Sequence, residues 1–261
     1  MNRRFTEIEK VSYSALLTAI AVVLGSVSKF IVIPHFGSFL SFSFTPSIVL
    51  FASLALGPVY GAIVGALADF LPAMLVPTGA YNFLLTITYA LLGFLPWFLE
   101  RLTRRFRSAF SKPWIVLCFL LLEYAAVIYF FYGTSLLDQR FDASWLKALV
   151  LAINGALDVG LLVVLSVWNH HLQKQGKADT NIPSLYEMAF LALILDFALL
   201  VLMKAMDYDL YFILFASNKR YSYWLFVAML LMTSPIQVAM MAILCPWWLT
   251  LLTRLHPEKS V

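Results

Sequence analysis

Long apolar blocks constrain this chain more than any other feature. "WIVLCFLLLEYAAVIYFFYG" and "YWLFVAMLLMTSPIQVAMMAILCPWWLTLL" each run to twenty residues or more with almost no charge. A bilayer core about 30 Å thick is crossed by roughly 20 helical residues rising about 1.5 Å each. In hydrocarbon every backbone N–H and C=O must be paired within the protein, so only helices and closed barrels span. A barrel needs alternation of apolar and polar residues, which these blocks lack. Composition agrees: 62% of the 261 residues are hydrophobic and 12% charged, against about 25% charged in soluble domains. The expected class is all-α, a polytopic membrane helix bundle forming one domain over 1–261.

Eight spans are predicted, near 12–33, 44–57, 58–75, 82–99, 114–133, 145–168, 185–206 and 223–252. The second is short and meets the third at Leu56-Gly57-Pro58. Gly suits a helix end and Pro a helix start, so a tight helical hairpin is expected there. With the N-terminus inside, twelve of the 18 basic residues fall on the inner side, among them Arg101, Arg104, Arg105, Arg107 and Lys112. That bias orients the chain with both termini cytoplasmic. The basic loop "ERLTRRFRSAFSK" reads as a topology signal at lipid headgroups rather than a nucleic-acid patch. "MNRRFTEIEK" leads into an apolar block long enough to span, so no cleavable signal is expected. Cys118 and Cys245 lie inside apolar blocks and read as small hydrophobes, neither a disulfide nor a metal site.

The segment "LGPVYGAIVGALADFLPAMLVPTGAY" carries Gly57, Gly61, Gly65 and Asp69 four apart. Such a stripe shares one helix face and lets another helix approach closely. The carboxylate needs more than packing. An ionised carboxyl in hydrocarbon costs several kcal/mol, so Asp69 must face a partner, a cavity or the aqueous boundary. Pro72 and Pro77 place it toward the outer end of its helix. Other intramembrane polar residues are Glu123, Asn154, Asp158 and Asp196. Asn154 and Asp158 share a face, and structural pairing or protonation is the expected state of Glu123 and Asp158. Asp196 and Lys204 are about two turns apart, too far for a direct pair. His170-His171 lacks further ligands for a metal.

The run "FTPSIVLFASLALGPVYGAIVGALADFLPAMLVPTGAYNFLLTITYALLGFLPWFL" resembles the S components of energy-coupling factor (ECF) vitamin transporters, particularly the folate type. The shared pattern is Pro46, then Gly57-Pro58, Gly65 to Asp69, Pro77 to Gly79, and Tyr81. Ala15 and Ala19 are similar to the AxxxA motif of the family's first helix, and "SPIQVAMMAIL" to the "PIQ" stretch of its last. The resemblance implies a subunit that binds a vitamin outside and works with a membrane T component and two cytosolic ATPases. It implies no enzyme activity and no cofactor, and a place in a bacterial cytoplasmic membrane. It assigns Ala15 and Ala19 to partner docking. The expected substrate set is Asp69, Thr78, Gly79, Tyr81, Lys29, His35, Phe39, Lys204 and Tyr208.

Two features depart from the family. S components commonly have six spans. The expected division is therefore a core from 1–100 and 184–255, with 114–168 an inserted helix pair. Where folate-type sequences carry basic residues before "PIQ", this chain has Phe226 and Met229. That leaves a vitamin-like ring compound, folate-like by motif, as the expected substrate. The chain also lacks G-x-x-x-x-G-K-[ST], so any ATPase is a separate chain. The alternatives are a stand-alone proton-coupled carrier using Asp69, Asp158 or Asp196, and a membrane scaffold. An intramembrane enzyme is disfavoured, since H-E-x-x-H and G-x-S-x-G are both absent.

Overall fold

A computed structural model describes residues 5–28, 43–76, 81–106, 112–133, 144–174, 185–215 and 223–255. All regular structure among them is helical. The helices are α1 (Glu7–Ser28), α2 (Thr45–Leu56), α3 (Pro58–Leu75), α4 (Phe83–Arg105), α5 (Pro113–Ile128), α6 (Ser144–Lys174), α7 (Leu185–Leu195), α8 (Lys204–Phe215), α9 (Tyr223–Leu231) and α10 (Ser234–Leu255). A π-helical turn, Tyr129–Gly133, extends α5. A longer π-helical segment, Asp196–Met203, joins α7 to α8 into one rod. Among the described residues, seven helices or rods are long and apolar enough to cross a membrane. α2 stands apart. Its twelve residues are all buried and span only about 18 Å at 1.5 Å per residue. It is a core helix wrapped by its neighbours rather than a lipid-facing one.

Small residues draw the first half together. Gly57, at φ 103°, turns the chain between α2 and α3. That left-handed conformation is available to Gly without the clash an L side chain meets. Gly61 of α3 faces Gly93 of α4 so closely that a Cβ on either would strike the other's carbonyl oxygen. One turn on, a Cβ at Gly65 would strike the Tyr89 carbonyl oxygen. The stripe seen in the sequence is thus the seam between α3 and α4.

Tertiary contacts fix the relative directions. Tyr60, at the start of α3, donates to Glu7 at the start of α1 (2.8 Å). Gly25, near the end of α1, packs against Thr45 and Pro72, so α1 and α3 run parallel. α10 runs alongside α2: Gln237 donates to the Ser43 carbonyl (3.1 Å), and Trp248 meets Phe51 edge-on (5.7 Å). The starts of α1 and α3 and the end of α10 therefore share one face of the bundle.

The predicted final span, 223–252, is broken in two. Pro235 has no N–H to donate and sits in the first turn of α10, where that donor is not needed. Thr233 instead closes a turn on the Leu230 carbonyl through both its backbone N–H and its hydroxyl (each 3.0 Å). α5 and α6 form an antiparallel pair. Lys147 donates to the Phe131 carbonyl (3.5 Å), and Tyr124 to that of Leu151 (3.4 Å).

The two small-residue pairs of α1 have different environments. Ala21 is buried and Gly25 is in the interior contact just described, while Ala15 and Ala19 are exposed.

Candidate substrate-binding site

At the end of the bundle opposite the termini, polar side chains of α3, α4 and α8 meet. The close α3–α4 seam carries Asp69 to within reach of Thr86, whose hydroxyl donates to Asp69 Oδ2 (2.6 Å). Thr86 has one proton and spends it there, so the Tyr81 hydroxyl, which contacts Thr86 Oγ1, must donate to it. The result is a relay from Tyr81 through Thr86 to Asp69. The Tyr81 ring also rests edge-on against Phe70 (5.6 Å). Asp69, Tyr81 and Thr86 are all half-buried.

A second knot ties α4 to α8. Asn82 caps α4 by accepting from the Leu84 N–H (3.1 Å), which pairs one of the free donors of a helix start. Its amide then donates to the Asp207 carbonyl (3.2 Å). Thr88, fully buried, donates to Asp207 Oδ2 (2.6 Å).

Lys204 lies between these knots. Its ammonium sits 5.9 Å from the centre of the Tyr208 ring. It interacts electrostatically with Tyr208, Tyr89, Asp69 and Asp196, and also with Asp207. It closes no ion pair within 4.0 Å among the described residues. Asp196, eight residues earlier, attracts it without pairing directly. The lysine is therefore a counter-charge shared among several acceptors. Beside it, Tyr208 and Phe226 rings meet at 5.6 Å, and Phe226 stacks on Phe212 (5.7 Å, 14° between planes).

Of the expected substrate residues, the structure brings Asp69, Tyr81, Lys204 and Tyr208 to one end of the bundle. Lys29, His35, Phe39, Thr78 and Gly79 lie outside the described residues. Thr86, Thr88, Asn82, Asp207 and Tyr89 belong to the same cluster and were not singled out in the sequence. Among the described residues no group of three His, Cys, Asp or Glu side chains is placed to hold a metal ion.

Neither a curated protein nor a solved structure matches the chain. The family model described as "ECF-type riboflavin transporter, S component" matches residues 5–152, more than half of the chain. The match takes in the α3–α4 seam, Asp69 and Thr86. Its members are transporter components rather than enzymes, and the helical architecture is that of a multi-pass membrane protein. The chain belongs to the family of ECF-type riboflavin transporter S components.

Proposed function

We propose that this chain is the substrate-binding subunit of an ECF importer. It takes a flavin-like vitamin at the bundle end that holds Asp69 and Lys204. It then works with a separate membrane T component and two cytosolic ATPases. Family membership carries the reading. The basic bias of the sequence supports a cytoplasmic face holding both termini and an outside position for the Asp69–Lys204 end.

Electrostatics favours a neutral vitamin over a dianionic one. The described cluster has one cation, Lys204, near three carboxylates, Asp69, Asp196 and Asp207. A folate tail with two carboxylates wants Arg or Lys donors. The positions where such donors were sought, Phe226 and Met229, are buried and apolar. A flavin carries an uncharged polyol, whose hydroxyls can donate to those carboxylates, and a flat ring that suits Tyr208 and its neighbours. Folate is the second reading, favoured by the "GALAD…PTG" and "PIQ" patterns. In either case α1–α4 and α7–α10 make the transport core, with α5 and α6 added against α7 and α10.

Mass spectrometry of small molecules retained by the purified protein, with fluorescence titration of riboflavin and folate, tests the substrate. Retained flavin and tight riboflavin binding are expected. Folate binding without riboflavin binding would overturn the flavin assignment. Uptake driven by a proton gradient, without T component or ATPases, would overturn the importer itself.

A further inference from the structure

α4 starts at the substrate end, where Asn82 caps it, and runs antiparallel to α3. It therefore finishes, with Arg101, Arg104 and Arg105, on the face that holds the starts of α1 and α3. The three arginines are not alike. Arg104 pairs through Nε with Glu100, a side chain buried in the bundle, so its charge is matched from inside. Arg101 and Arg105 are exposed. Among the described residues neither guanidinium has a carboxylate or another hydrogen-bond acceptor.

Arg101 takes a direction that a solvated arginine does not. Basic side chains at the end of a membrane helix ordinarily reach outward to the water. Here the guanidinium lies over the Trp97 ring, 3.4 Å from its centroid, an attractive arrangement of cation and ring face. Trp97 is one turn earlier in α4 and so lies deeper in the span 83–105. Helix geometry already tilts each side chain toward the N-terminus, and the ring holds Arg101 in that direction. Stacking occupies the flat face of the guanidinium. It leaves the edge uncommitted, with the planar fork of N–H donors that matches a phosphate.

The surface on the hydrocarbon side of Arg101 is aromatic. Phe98 meets Trp97 edge-on (4.9 Å), and Phe94, one turn deeper, packs against Phe98 (5.0 Å). Phe94, Phe98 and Leu102 are all exposed. This face of α4 thus has cations at its rim and an apolar wall beneath them.

That order selects the occupant. The donors need an anion, and the anion must sit where the aromatic wall begins, at the edge of the hydrocarbon. A soluble acidic surface would meet arginines extended into water. A phospholipid carries its phosphate at this depth, with acyl chains running along the span. We propose that the end of α4 is a binding site for an anionic phospholipid. Arg101, held flat by Trp97, grips the phosphate through its N–H edge. Arg105, one turn further out on the same face, meets the headgroup, and the acyl chains lie along Phe94 and Phe98. In the proposed topology this is the cytoplasmic leaflet, whose anionic lipids attract basic segments beside a span. The inference needs only that α4 crosses a bilayer, so it does not rest on the transport reading.

Tryptophan quenching by lipids brominated on their acyl chains tests the site, on the purified full-length chain in neutral detergent. The probes are brominated phosphatidylglycerol and brominated phosphatidylcholine. One basic residue near an anionic surface strengthens binding about fivefold. The parent should prefer phosphatidylglycerol, and Arg101→Gln should lower that preference by about that factor. Arg101→Lys keeps the charge, and with it the topology signal, but loses the stacked fork. It should lose most of the preference too, and it carries the test should Arg101→Gln fail to insert. Trp97→Leu should weaken the preference while leaving every charge in place. Arg101→Lys matching the parent would reduce the site to general surface charge and overturn the proposal. Displacement of the lipid by millimolar inorganic phosphate would do the same, by showing a free-anion site. Unchanged lipid preference in Arg101→Gln, with lost association to T component and ATPases, would make this face a protein-docking surface instead.

Discussion

Replacing Gly65 by alanine probes how α3 and α4 build the substrate site. The added Cβ would strike the Tyr89 carbonyl oxygen and come within 2.9 Å of its carbon, with Val49 Cγ1 at 3.2 Å on the other side. Backbone on one side and the buried α2 on the other leave little room to relax. Overpacking of this kind costs about 1–3 kcal/mol, and the confined setting argues for the upper end. Alanine recovers up to about 1 kcal/mol of helix propensity, so the net loss is about 2 kcal/mol. At roughly 2–4 °C per kcal/mol for a chain of this size, the melting temperature should drop by about 4–8 °C. Ligand affinity should fall too, because Asp69 is one turn along from Gly65 and its partner Thr86 is one turn from Tyr89. Thermal unfolding in detergent beside fluorescence titration reads both effects. Gly160→Ala is the control: no heavy atom lies within 4 Å of its added Cβ, so it should be neutral or stabilising. If Gly65→Ala melts with the parent and binds equally well, the close seam does not position the site.

Thr86→Val removes the donor to Asp69 and cuts the relay from Tyr81 without moving a helix. A hydrogen bond to a charged group contributes about 1.5–3 kcal/mol, so affinity should fall about tenfold to a hundredfold, with Asp69→Asn milder than Asp69→Ala by the same titration. Ala15→Trp and Ala19→Trp lie on an exposed face of α1 and should leave folding and ligand binding intact while abolishing uptake; loss of binding as well would assign that face to internal packing. Cysteines placed in 134–144 and 216–221 should be labelled from outside intact cells and those in 101–113 should not, and the reverse pattern would invert the proposed topology.

Much of this was legible because charge and glycine are conspicuous in an apolar sequence. Asp69 announced itself by sitting on a glycine stripe, and the stripe proved to be the α3–α4 seam. Its partner Thr86 was not legible, because a hydroxyl in "FLLTITYALL" can satisfy itself on its own helix and carries no charge. Asp207 was passed over for a different reason. It falls just beyond the predicted span 185–206, whereas the rod continues through the π-helical segment into α8 and buries it against Thr88. Spacing alone also could not rank Ala15/Ala19 against Ala21/Gly25, since both pairs are four apart. Only the packing of α1 on α2 and α3 shows which face is left open. The break at Thr233–Ser234 was signalled by Pro235 but hidden within an otherwise continuous apolar run.

The polar groups fall into two layers, and the rod made by α7, the π-helical segment and α8 connects them. Asp196 begins the π-helical stretch in the inner layer, and Lys204 follows its end in the outer one. π-helical turns are uncommon and recur at functional sites. Here the segment lets one continuous rod present an anion to Ser234 and a cation to Asp69 and Tyr208. Lys204 interacts with both Asp69 and Asp196, so the charge carried by this rod faces both layers.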